Sequence, residues 1–143
     1  MKAFRIVALL SIVLIVIFII TNSGVPNASV TTDDRRVTVL KSSYCWNEIW
    51  RQQCVDYISP SEQIKEKGVV PTVVAPQSKL QIKFNKKPTE EISISVWNND
   101  NIGEIEFVDN TITAPKERGV YIYVVSSRWS KGSASYVFSI EVK

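Results

Sequence analysis

The sequence predicts an all-β domain, a sandwich or barrel of antiparallel strands with one short helix, set behind a separate N-terminal apolar helix. Short runs of β-branched and aromatic residues follow one another from Val37 to Val142, separated by Gly, Pro, Asn and Asp. In two of these runs apolar and polar residues alternate strictly, so each presents one dry and one wet face, as antiparallel sheets do. Only the start of the chain breaks the pattern: Lys2 and Arg5 precede an uncharged apolar stretch from Ile6 to Ile20 that Ser11 alone interrupts.

That first stretch fixes where the rest works. A basic flank before an apolar run reads as a secretion signal or a signal anchor, with the N-terminus in the cytoplasm and everything from about Thr21 outside. A helix over Ile6 to Ile20 measures about 22 Å, shorter than the ~30 Å hydrocarbon core, so length alone does not separate the two. Cleavage signals are weak: Thr21 with Ser23 offers small residues, whereas Ala28 is paired with Pro26. No cysteine follows the run directly, which excludes attachment through a lipidated cysteine. The segment is therefore expected to be kept as a single-pass anchor, with release after cleavage as the alternative. The expected organisation is an anchor or signal over 1–21, a linker over 22–36 and an extracytoplasmic domain over 37–143.

Composition limits the chemistry. The chain has 143 residues, of which those outside the apolar segment suffice for one domain with one core. With Lys2 and Arg5 set aside, 15 basic side chains face 14 acidic ones. No cluster exceeds Arg35-Arg36 or Lys86-Lys87, so a nucleic-acid partner is not expected. Histidine is absent, which removes Ser-His and Cys-His nucleophiles, histidine zinc sites and an imidazole pH switch. Cys45 and Cys54 are the only cysteines. In an oxidising compartment they read as one structural disulfide, because redox-active pairs usually stand two residues apart.

Along the chain, residues 22–36 read as linker from their Asn, Ser, Gly, Thr and the charged quartet Asp33-Asp34-Arg35-Arg36. Val37 to Trp46 opens the strands, with Val37, Val39 and Lys41 on one face, and Cys54 to Ile58 continues them, so that the disulfide closes an aromatic hairpin or loop. Pro60 to Lys67 is expected to be a helix: Ser59 is its N-cap, Pro60 its first residue, Glu62 completes a capping box and Gly68 is the left-handed stop. With Ile64 as its single large apolar residue, it is expected to lie as a connector on the sheet edge. Pro71 and Pro76 bracket the edge strand Thr72-Val73-Val74-Ala75. Leu80, Ile82 and Phe84 alternate with polar residues, as do Ile92, Ile94 and Val96. Ile105, Phe107 and an Asp109-Asn110 turn lead to Ile112. Val120 to Ser126 and Tyr136 to Val142 are the strongest strands, joined by a loop from Arg128 to Ser133.

Gly119-Val120-Tyr121-Ile122-Tyr123 resembles the sixth strand of immunoglobulin-like sandwiches, in which a tyrosine after a tight corner bonds back to the backbone. The resemblance makes Tyr121 that corner residue and puts Tyr123 where the family's second cysteine falls, so Cys45–Cys54 is a different, local link. More broadly, Cys45-Trp46, Cys54-Val55-Asp56-Tyr57, Ala114 through Tyr121 and Gly132 through Phe138 resemble uncharacterised exported envelope proteins of bacteria. This implies an immunoglobulin-like antiparallel β-sandwich and supplies no catalytic residues.

Candidate sites are few. Asn98 to Glu104 with Asp109 nearly reproduces a calcium loop, but Ile102 occupies a ligand position, and a polar hairpin turn is the expected reading. Glu104 and Glu106 share a strand face about 7 Å apart, a glycosidase-like spacing that alternating solvated acids also produce. No serine lies in a nucleophile frame. Tyr44, Trp46, Trp50 and Tyr57 crowd around the disulfide and Trp129 is placed at a hairpin tip, forming a possible binding surface or a plug for the sandwich end. The expected function is thus a membrane-tethered binding or structural module of the bacterial envelope, with an envelope protein as partner. A module binding cell-wall glycan through Trp50 and Trp129 is the alternative, and a carboxylate hydrolase a distant third. An enzyme, a cofactor and a metal are not expected.

Overall fold

The fold is known from a computed structural model, which describes residues 2–33, 35–48, 50–98, 101–105 and 108–143, with side chains for 4–19, 24–33, 35–48, 50–97, 105 and 108–143. After helix α1 (Lys2–Ser23) come β1 (Ala28–Thr32), β2 (Arg35–Val37), β3 (Val39–Asn47), β4 (Gln52–Val55), helix α2 (Pro60–Glu66), β5 (Thr72–Val74), β6 (Lys79–Phe84), β7 (Ser93–Asn98), β8 (Asn101–Glu104), β9 (Thr111–Thr113), β10 (Gly119–Trp129) and β11 (Gly132–Val142). They form two sheets. The smaller has the order β2-β1-β6-β9; the larger runs β4-β3-β11-β10-β7-β8, with β5 also pairing β11. All pairings are antiparallel except β5 with β11, which is parallel.

The core lies between the sheets. Val30, Leu80, Ile82 and Ile112 from the smaller sheet meet Ile94, Tyr121, Tyr123, Val125, Phe138 and Ile140 from the larger. Alternation places them there: in β6 Leu80 and Ile82 are buried while Lys79, Gln81 and Lys83 are exposed. The Asp109-Asn110 turn is also as expected. Both residues take positive φ, 51° and 59°, and Val108 pairs with Thr111 across them. Asx residues tolerate that backbone better than other side chains, which fits a two-residue hairpin turn.

Two expectations about the N-terminal part need correction. The stretch expected as linker supplies β1 and β2, with Val30, Thr32 and Val37 buried. Val37 and Val39 do not share one strand face, because the chain changes sheets at Thr38: β2 belongs to the smaller sheet and β3 to the larger.

Helix α2 begins as the sequence implies. The Ser59 hydroxyl oxygen accepts from Glu62 N at 3.4 Å and donates to Glu62 Oε2 at 2.7 Å, and Gly68 has φ +61°. Its position is not the sheet edge, however. It packs against β10 and β11 on the outer face of the larger sheet, where Ile64, Gln63, Val137 and Ser139 are all buried. Gln63 Nε2 donates to the Lys41 carbonyl at 2.9 Å, beside the register shift between β3 and β11. A helix with one large apolar residue can thus cover an apolar sheet face if a buried amide finds a backbone partner.

Helix α1 spans 22 residues, about 33 Å at the usual rise. Its described side chains, from Phe4 to Ile19, are all exposed. These described side chains end at Ile19, and within the described residues alone no helix is long and apolar enough to cross a membrane.

Candidate functional site

Just past α1 the chain is held to the domain residue by residue. Gly24, Val25, Pro26 and Asn27 each have their carbonyl oxygen held by the domain. Lys86 Nζ donates to Gly24 O at 2.9 Å, Lys41 Nζ to Val25 O at 3.4 Å, Tyr136 Oη to Pro26 O at 2.6 Å and Asn85 N to Asn27 O at 3.1 Å. Asn27 N in turn donates to Asn85 Oδ1 at 2.8 Å. No residue between the last turn of α1 and β1 is left as free chain. Lys86 also sits where a cation is favoured, against the negative end of the helix dipole.

Aromatic packing builds the platform for this clamp. Trp129 stands edge-on to Phe84 at 5.3 Å and to Trp46 at 6.1 Å between ring centroids, and Phe84 lies 5.5 Å from Tyr136. Such pairs contribute roughly 0.5–1.5 kcal/mol each beyond the area they bury. The indole N–H of Trp129 donates to Lys86 O at 3.0 Å, fixing the turn that carries the Lys86 amine. Tyr136 is buried, and its phenol pKa is pushed well up by that burial, so it remains a donor to Pro26 at any physiological pH.

These contacts decide the fate of the predicted aromatic surface. Trp46 and Trp129 are 2% and 5% exposed, so they are core residues rather than a binding face. Trp129 is not at a hairpin tip: β10 keeps its alternation through Tyr121, Tyr123, Val125, Ser127 and Trp129, and the turn is confined to Ser130 and Lys131. Tyr44 is half-buried and joins the same cluster. Tyr57 is partly exposed, its backbone N–H donating to Ser43 Oγ at 3.0 Å. Trp50 alone stands out in solvent, 93% exposed. Cys45 and Cys54 are directly opposed on β3 and β4 and form the expected disulfide. Closing so short a loop stabilises the hairpin by about 2.5 kcal/mol in the chain-entropy account.

The same end of the domain is cationic. Lys41 has its pKa lowered by burial and then by the Lys86 charge; Lys86 is lowered by burial and then by Lys131. Lys86 is therefore close enough to feel both of the other amines. Glu48, on the hairpin between β3 and β4, is paired with Arg51 at 3.2 Å.

A cleft of about 730 Å³ opens nearby, with Ile82, Phe84 and Ile92 in its floor and Lys87, Glu90 and Glu91 on its rim. The Glu90 carboxylate is paired with Arg128 at 3.4 Å and the Ser127 hydroxyl donates to the Glu90 backbone carbonyl, which ties this segment to β10. Of the acidic pair Glu104 and Glu106, and of the calcium-like loop, Glu106, Asn99 and Asp100 lie outside the described residues, as do the remaining side chains of those two sets from Asn98 to Glu104. Among the described residues there is no group of three or more acids or cysteines placed to hold a metal ion.

Sequence reasoning missed Lys41, Asn85, Lys86, Lys131 and Tyr136 as a set. Their partnerships span 16 to 110 residues of chain, and only the Lys86-Lys87 doublet left a local trace. Compared with protein-family models, with curated proteins and with solved structures, the chain finds no match in any of the three.

Proposed function

We propose that this chain is a membrane-tethered module of the bacterial cell envelope, its β-sandwich held outside the membrane by α1 and acting by binding. The observation that carries the reading is the junction: four successive carbonyls directly after α1 are taken by the domain, so the chain passes from the helix onto the sandwich without a free linker. The exposed apolar side chains of α1 support the reading too, because a soluble protein rarely leaves so many uncovered. So does the disulfide, which suits an oxidising compartment.

The immunoglobulin-like reading of the sandwich draws support from one corner. Tyr121 Oη donates to Glu117 O at 3.1 Å, four residues back, at the entrance to β10. Where that family carries a cysteine, Tyr123 stacks on Phe138 at 5.0 Å between ring centroids. For the glycan reading only Trp50 is left on the surface, and a single ring is a poor platform for a sugar chain.

In cells, the account expects the full chain to stay with membranes after alkaline carbonate washing and to keep its N-terminal peptide by mass spectrometry. Protease added outside spheroplasts should digest the sandwich. Recovery of a shortened, soluble chain, or a sandwich protected in intact spheroplasts, would overturn the reading.

A further inference from the structure

We propose that the end of the sandwich next to α1 is a lipid-binding face, on which Trp50 enters the headgroup layer of the membrane that holds α1 while Lys87 and Lys131 contact anionic lipid phosphates. This rests on the tethered reading and adds an orientation to it.

A chain of hydrogen bonds leads outward from the helix end. Gly24, at the end of α1, is bonded to Lys86, whose carbonyl takes the Trp129 indole. Trp129 ends β10, and the next two residues are the Ser130-Lys131 turn. The Lys131 carbonyl accepts from Asn47 N at 2.7 Å, where β3 runs out into the hairpin tip that carries Trp50. The tip is itself closed by Glu48 N donating to Arg51 O at 2.8 Å. Thus the helix end, the Asn85–Lys87 turn, the Ser130-Lys131 turn and the Trp50 hairpin all lie at one end of the sandwich. If α1 is in the bilayer with no free chain behind it, that end has nowhere to be except at the membrane surface.

Its side chains suit that position. Tryptophan is enriched where bilayer meets water, because the ring is amphipathic and stacks into the headgroup level. Trp50 is otherwise a large apolar side chain left almost wholly in water, carried on a hairpin that the Cys45–Cys54 disulfide stiffens. Lysines near an anionic surface are drawn to it, an attraction that salt screens. The acid on the tip, Glu48, is neutralised by Arg51. The lowered pKa of Lys86, due to burial and to Lys131, agrees with amines gathered on one face.

The test uses the full chain reconstituted in phosphatidylcholine vesicles, with and without phosphatidylglycerol, with lipids brominated near the headgroup as quenchers. The other three tryptophans, Trp46, Trp97 and Trp129, are the same in Trp50→Phe, so the emission lost on that substitution isolates Trp50. The Trp50 component should be blue-shifted and quenched by the brominated lipid, more so with phosphatidylglycerol. The double change Lys87→Gln with Lys131→Gln should abolish that dependence on anionic lipid and leave thermal unfolding unchanged. A chain that floats with the vesicles while Trp50 is quenched only by aqueous iodide would overturn the lipid face and leave the tether standing. A chain that fails to float would overturn both. Loss of binding to purified cell wall on Trp50→Ala, with no lipid quenching, would assign Trp50 to glycan instead.

Discussion

A chain cut to begin at Val37 is expected not to fold, whereas one cut to begin at Gly24 unfolds in a single cooperative transition. The first cut follows the linker that composition suggests; the second follows the structure. Starting at Val37 removes β1, which pairs with β6 from Ala28 opposite Phe84 to Thr31 opposite Gln81. It also removes Val30, 1% exposed in the core, and the Pro26 carbonyl that Tyr136 binds. Losing one buried valine costs roughly 1.5–3 kcal/mol. An orphaned buried hydroxyl adds about 1–3 kcal/mol. With a strand of ladder bonds and the clamp gone as well, the loss reaches the ~5–15 kcal/mol that holds a whole domain together. Near-ultraviolet circular dichroism and urea unfolding of the two fragments decide it. A native-like spectrum from the shorter one would show that β1 is dispensable.

Gly132→Ala should lower stability by about 3 kcal/mol or more, the range reached when backbone is forced apart in a packed sheet. Gly132 has φ +152° and faces Trp46 across the β3–β11 ladder. A Cβ there would collide with the Cys45 carbonyl oxygen and come within 3.0 Å of Cys45 C and Trp46 Cα. All three are backbone atoms of β3, so no side chain can swing aside. Relief requires β3 to move from β11, which would disturb the disulfide hairpin and the Trp46–Trp129 contact together. The measurement is the shift in denaturant midpoint at unchanged m-value. A change below about 1 kcal/mol would mean that β3 yields at little cost, unlike an ordinary packed strand.

Local chemistry was legible where a few neighbouring residues determine the outcome. The Ser59 cap, the Asp109-Asn110 turn and the Cys45–Cys54 bridge depend on short spacings, and each is found as expected. The linker was misread because Asn, Ser, Thr and Gly dominate it, although Val30 and Thr32, two apart and β-branched, carry the alternation of a strand. Trp129 was misplaced for a related reason: Ser126 and Ser127 suggested a strand end, yet the inward positions continue in steps of two through Ser127 to Trp129. The clamp was not legible at all. It joins carbonyls, which carry no sequence signal, to donors 16 to 110 residues away.

If α1 and the sandwich are joined without a free linker, a distance between them shows it most directly. Spin labels on Val13→Cys in α1 and Ser61→Cys at the start of α2, both exposed positions, can be read by pulsed electron paramagnetic resonance in a reconstituted bilayer. One narrow distance distribution is the predicted result. A broad distribution, of the kind a flexible tether of some fifteen residues would give, would contradict it.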